Sequence, residues 1–156
     1  MVFTSAFAQA TKSVWTDVYS AEQATRGGDL YRSKCADCHG DDLEGRELAP
    51  ALAGGTFGQR WDGATLKKLF DRMAEMPPDD PAARLAPAQS IDVLAFLLSA
   101  NNIPAGKTAL VADKDALAGI KYYSQRPKLL EAALKTDPGD RFSSALSRKP
   151  IPGIGF

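Results

Sequence analysis

Histidine occurs once in these 156 residues, cysteine twice and methionine three times. A single histidine excludes any site built on two imidazoles. Neither sign of charge is in excess, with 19 Lys and Arg against 19 Asp and Glu, which argues against a nucleic-acid partner. No stretch approaches the roughly 20 consecutive apolar residues of a membrane-spanning helix. The length allows one modest core, with chain to spare.

Both cysteines and the lone histidine fall in one pentapeptide, Cys35-Ala36-Asp37-Cys38-His39. A CxxCH run is the attachment site of a c-type haem. Two thiols three positions apart can each add to a vinyl group on one edge of a porphyrin, and the next residue falls under the iron as proximal ligand. Both thiols are then consumed, so no disulfide remains possible. A thioredoxin-like redox centre needs a strand before the motif and a βαβ setting, which the sequence does not offer. A zinc site needs a fourth ligand, and no other Cys or His exists. A chance occurrence in a loop is the remaining alternative.

Residues 2–10 are apolar and end in Ala8-Gln9-Ala10, a pattern of the kind signal peptidase cuts, although a basic leader and a full apolar region are missing. Residues 1–14 therefore read as the remnant of an export signal or as a frayed terminus, and export agrees with haem attachment outside the cytoplasm. Ser20 and Gln23 form a capping-box pattern that opens a helix to about Lys34, running straight into the CxxCH motif. Gly27 and Gly28 each cost about 1 kcal/mol in a helix interior. At least one therefore serves a close backbone approach, and Gly27, one turn before Tyr31, is the better candidate.

Residues 40–58 are rich in Gly, Pro and Asp and read as loop. A carbonyl in Pro50-Ala51-Leu52 could accept the second ring N–H of His39, fixing its tautomer. A helix is expected over about 62–74, where Leu66, Leu69, Phe70 and Met73 recur at helical spacing. The last strong helix is expected over 88–100, apolar enough to be buried, and ended by Asn101 and Asn102.

With one histidine and both cysteines committed, a sixth iron ligand must come from methionine, lysine or solvent. Met73 lies on the apolar stripe and is simply read as core. Met76 lies just past the helix before Pro77, which biases it towards extended backbone and lets its thioether project from a loop. Met76 is the candidate ligand, Met73 the alternative, and Met1 is too peripheral.

Gly27, Tyr31, Cys35-x-x-Cys38-His39-Gly40, Pro50-x-Leu52, Trp61, Met76-Pro77 and Ala95-Phe96-Leu97, in this order, resemble the class I cytochrome c family over residues 15–107. Asn101 and Pro104-Ala105-Gly106 are similar to small cytochromes that accept electrons from periplasmic quinoprotein dehydrogenases. The resemblance implies an all-α cytochrome c fold around one covalently bound haem c, with a C-terminal extension over 108–156. It implies His39 and Met76 as axial iron ligands, Cys35 and Cys38 as thioether attachments, and Pro50 as the carbonyl on His39. Gly27 and Phe96 would meet where the terminal helices cross. Trp61 resembles the family tryptophan whose indole N–H reaches a haem propionate; the alternative is an interior aromatic without that contact.

The extension carries a candidate helix at 128–134, a Pro/Gly-rich end and no second CxxCH, which argues against a second haem. Asp71, Glu75, Asp79, Asp80 and Asp92 are expected to gather on the methionine side. Lys121, Arg126, Lys128, Lys135, Arg141, Arg148 and Lys149 make the tail basic, so it could fold back on that acidic face, meet a partner, or simply be solvated.

The function expected is one-electron transfer by an exported, periplasmic protein that is not an enzyme, with a periplasmic dehydrogenase as donor and a downstream acceptor as redox partners. One alternative is a haem-based gas sensor with a displaceable sixth ligand; the absence of a distal histidine weakens a peroxidase more than a sensor. Another is a dedicated electron-transfer subunit of a dehydrogenase complex.

Overall fold

In the computed structural model, which describes residues 12–47 and 49–128, Ser20 caps helix α1 (Ala21–Lys34), its hydroxyl accepting the Gln23 N–H at 3.3 Å. The reciprocal half of the expected capping box is absent. Gln23 is buried and turns its side chain to Leu110 instead, donating to that carbonyl and accepting from that N–H, each at 2.8 Å. A buried amide has donors and an acceptor to satisfy, and a passing stretch of backbone meets both needs at once.

Helix α2 (Ala36–His39) follows α1 directly. Helix α3 (Gly54–Trp61) was not expected, since its three glycines read as loop. Each glycine costs about 1 kcal/mol of helix propensity. Burying Phe57 and half-burying Trp61 one turn apart, with their rings in tilted contact, outweighs that local cost. Helix α4 (Leu66–Ala74) therefore starts four residues later than expected, behind the N-cap Thr65. Its stripe is as anticipated, with Leu66, Leu69 and Phe70 buried and Met73 packed beside them. Helix α5 (Pro87–Ala100) begins with proline at its first turn, where the missing N–H costs nothing.

Helices α1 and α5 cross through Gly27. A Cβ there would lie 1.9 Å from the Asp92 carbonyl oxygen and 2.9 Å from the Phe96 Cβ, so only glycine permits the approach. Gly28 faces the Phe96 ring, and Tyr31 stacks on it with ring centroids 5.2 Å apart. Arg26 clasps the Asp92 carboxylate from outside through two hydrogen bonds of 2.9 and 3.0 Å.

The packed unit extends past both expected boundaries. Val14 is fully buried, and β1 (Lys12–Ser13) pairs in parallel with β2 (Ile120–Lys121). Leu110, Leu117, Ile120 and Tyr122 join the same core as α3, α4 and α5. The short helix α6 (Lys114–Ala118), capped by Asp113, lies between them in sequence. By its contacts the first compact unit runs to Ser124, with the apolar residues of 108–124 packed on the same core as the helices before them. A second unit, Gln125–Phe156, follows, of which 125–128 are described. The possible export remnant up to residue 11, the helix expected at 128–134 and the basic residues beyond 128 lie outside the described residues.

Burial, and next the Asp62 carboxylate, push the Tyr122 phenol up to about 12. Its neutral form is the folded form, so its contribution is complete below pH 10 and is lost as pH rises through 12. Between pH 9 and 12 the protein is expected to lose about 2 kcal/mol more stability than Tyr122→Phe. Denaturant midpoints at the two pH values check this.

Candidate functional site

Cys35 ends α1, its N–H bonded to the Tyr31 carbonyl at 2.8 Å, and α2 winds Cys38 and His39 back onto the Cys35 carbonyl at 3.2 and 2.9 Å. Both thiols are therefore held on one turn beside the imidazole. Cys35 is half-buried, Cys38 exposed, and neither is in a disulfide. Burial first, and Cys38 second, push the Cys35 thiol up. A thioredoxin-like attacking cysteine has its thiol pushed down. The described strands are two pairs of residues, with no βαβ unit. Among the described residues no group of three or more His, Cys, Asp or Glu is placed to hold a metal ion.

The His39 Nδ1 lies 2.9 Å from the Pro50 carbonyl oxygen. With Pro50 accepting, Nδ1 carries the proton and Nε2 keeps its lone pair for a metal. Several devices bring Pro50 there. Gly45, at φ +81°, turns the chain; a Cβ on it would meet Ala49, Pro50 and Ala51 backbone at 2.4–2.7 Å. Arg46 and Ala49 pair through two backbone hydrogen bonds, and Leu52 bonds back to Leu43. Asn101 closes the loop from α5, donating to the Leu52 carbonyl at 3.0 Å and accepting the Gly54 N–H at 3.1 Å. Tyr31 donates to the Gly40 carbonyl at 2.6 Å, fixing the residue after His39.

Gly45 and the Asn101 clasp went unnoticed in the sequence. Glycine five residues before a proline carries no distinctive pattern, and Asn101 read as a helix end and as part of the family resemblance, with no partner assigned to it.

Leu52 and Met73 each pack against both core clusters, Trp61 against one, and Cys35 and Leu85 against the other. Met76 is half-buried after α4, its N–H on the Met73 carbonyl at 3.0 Å. Arg84 reaches back to the Pro77 and Pro78 carbonyls at 3.3 and 3.5 Å, bracing this loop. Trp61 packs on Phe57, and among the described residues its indole nitrogen has no hydrogen-bond partner. The structure thus gathers Cys35, Cys38, His39 and Pro50 directly, and sets Trp61 and Met76 at the ends of α3 and α4.

The acidic gathering expected on the methionine side is largely neutralised. Lys67 and Lys114 bind Asp71 at 2.6 and 3.1 Å and hold its carboxyl below the usual range. Arg72 pairs with Glu75 and Arg26 with Asp92, while Asp80 caps a single 3-10 turn at Pro81–Ala83. Unpaired acid lies elsewhere. Asp37, Asp41, Asp42, Glu44 and Glu47 are exposed around the Cys-His motif with Arg46 as the one cation of that stretch, and no described ion pair engages them.

Residues 22–97 match the family model described as cytochrome C oxidase, cbb3-type, subunit III. That stretch is a c-type cytochrome domain. A curated relative, the cytochrome bc1 complex cytochrome c subunit of Corynebacterium efficiens, is 31% identical over 83 residues, 51% of this chain and 27% of its own length. The chain therefore spans about a quarter of that relative. Among solved structures, the sulfane dehydrogenase SoxCD from Paracoccus pantotrophus matches at 21% identity over 92% of this chain and 78% of that one, with a TM-score of 0.46.

The all-α arrangement is that of a cytochrome c domain, and the cofactor of such a domain is covalently bound haem c with its iron. The residues present fit that group. Two undisulfided thiols and an imidazole with Nδ1 occupied and Nε2 left for iron form the donor set it requires.

Proposed function

We propose that this cytochrome is a one-electron carrier with His39 and Met76 as the axial pair, Cys35 and Cys38 as the thioether attachments, and Trp61 as a propionate donor. The observation that carries this reading is the bond between His39 Nδ1 and the Pro50 carbonyl, which orients the imidazole and raises its basicity. When bound, the haem supplies an iron that alternates between ferric and ferrous. The chain holds His39 and Met76 on separately braced segments, so that neither ligand needs to move when the charge changes. A fixed coordination shell suits electron transfer rather than bond making, and thioether ligation favours the ferrous state relative to two imidazoles.

The exposed flank at Cys38 supplies a small, transient docking face. The donor is read as a periplasmic dehydrogenase, with a downstream acceptor. The relative's place in a bc1 complex makes a dedicated subunit of a larger complex a second case, which stable co-purification would separate from a freely diffusing carrier. No helix among the described residues is long and apolar enough to cross a membrane. Periplasmic placement follows from the chemistry of haem attachment.

The test is the ferric optical spectrum in the deep red, and the effect of CO after reduction. A methionine-to-iron charge-transfer band with no CO shift is the expected result. A high-spin or CO-shifted spectrum would favour the gas sensor.

The unpaired acids around the motif also have a kinetic signature. Oxidation by a cationic metal complex should slow, and oxidation by ferricyanide should quicken, as ionic strength rises from 0.01 to 0.15 M and the Debye length falls from about 30 to about 8 Å. Stopped-flow rates on the protein and on the Asp41→Asn/Glu44→Gln variant check this, with a shallower slope expected in the variant.

A further inference from the structure

The stretch that closes the first unit converges on one corner of the fold. Residues 62–65 join α3 to α4, directly after Trp61. Gly63 donates to the Tyr122 carbonyl and Tyr122 donates to the Ala64 carbonyl, both at 2.8 Å, while Thr65 pairs with Lys121. Ser124 gives both its N–H and its hydroxyl to one Asp62 carboxylate oxygen, at 2.8 and 2.9 Å. Trp15 secures the same stretch from its other side by donating to the Tyr123 carbonyl at 2.9 Å. The Tyr122 ring meets Phe57 edge-on, centroids 5.6 Å apart, and Phe57 in turn packs on Trp61.

The residue after Trp61 and the ring beside it are thus both held by residues 120–124. An indole offers one N–H in one direction, so it can serve a ligand only if its ring is fixed.

We propose that residues 120–124 are a positioning strap for Trp61, holding its indole N–H on a haem propionate and thereby raising the midpoint potential. The inference rests on the reading of Trp61 as a propionate donor. A propionate carboxylate stabilises ferric iron by its charge; a donor that takes up part of that charge weakens the effect and favours ferrous iron. Asp62 is the positioning residue, since its carboxylate joins the strap to the residue following Trp61.

The experiment uses the full-length haem-loaded protein. Midpoint potentials and the exchange rate of the Trp61 indole N–H are measured for Asp62→Ala, Asp62→Asn, Ser124→Ala, Trp61→Phe and the Asp62→Ala/Trp61→Phe pair. Removing a negative charge would by itself raise the potential. The strap requires the opposite: Asp62→Ala lowers the potential and speeds indole exchange, while Asp62→Asn, which keeps the accepting oxygen, does not lower it. Ser124→Ala, which retains the backbone bond, should give a smaller downward shift and serves if Asp62→Ala does not fold. In the Trp61→Phe background the downward shift should vanish. If Trp61→Phe lowers the potential but Asp62→Ala and Ser124→Ala reduce only thermal stability, the strap is structural and the proposal fails while the Trp61 reading stands. If Trp61→Phe leaves the potential unchanged, the Trp61 reading fails and takes the strap with it.

Discussion

Replacing Met76 by alanine is expected to abolish the deep-red charge-transfer band of the ferric protein, turn the spectrum high-spin, and let CO bind after reduction. The midpoint potential should fall, because a soft thioether favours ferrous iron and the water that replaces it does not. The fold should survive. Met76 lies in a loop, half-buried, while the cores on either side are closed by other residues. Met73→Ala is the informative contrast. Its side chain packs against both core clusters, so its loss should cost about 2–3 kcal/mol and leave the band intact. The reverse pattern, with the band lost in Met73→Ala and kept in Met76→Ala, would transfer the ligand role to Met73. Optical spectra and thermal unfolding of the two variants decide between them.

Gly27→Ala is expected to produce the largest loss of stability from the addition of one methyl group. The new Cβ would sit 1.9 Å from the Asp92 carbonyl oxygen, which is backbone in the middle of α5 and cannot rotate away. The helices must separate, which also strains the two hydrogen bonds from Arg26 to Asp92 and the contact between Tyr31 and Phe96. Overpacking of this kind costs about 3 kcal/mol, against a gain of about 1 kcal/mol in helix propensity. Gly28→Ala makes the same gain, but its Cβ would meet the Phe96 ring at 3.2 Å and the end of the Arg32 side chain at 3.7 Å, both side-chain atoms. A ring can shift by a few tenths of an ångström, so Gly28→Ala should be close to neutral. Equal destabilisation of the two variants would show that the crossing does not depend on close approach at Gly27. Because Tyr31 holds Gly40, a separated crossing should also disturb His39 and broaden the spectrum.

What was legible in the sequence was local. The CxxCH run brings its chemistry wherever it stands, because five consecutive residues place two thiols and an imidazole on one turn without help from the fold. The apolar stripes of α4 and α5 were visible because helical spacing is a property of the chain itself. Gly27 stood out because a glycine in a helix interior is costly unless another backbone needs the space.

Three things were not legible, each for a physical reason. Helix α3 has three glycines, so propensity pointed to loop; burial of Phe57 and Trp61 decided otherwise, and burial depends on what lies across the core. The acidic residues of the methionine side read as a patch because their neutralising partners, Lys114 for Asp71 and Arg26 for Asp92, are distant in sequence and meet them only after folding. Residues 108–124 read as an appendage because two-residue strands and single buried leucines leave no periodic trace. By itself the sequence determined the cofactor and the helices α1, α4 and α5, since these follow from residue type and short-range spacing. The tertiary structure alone decided what holds the Pro50 carbonyl against His39, where the unpaired charge lies, and that residues 120–124 fasten the corner beside Trp61, since each of these is a contact between segments that the chain keeps far apart.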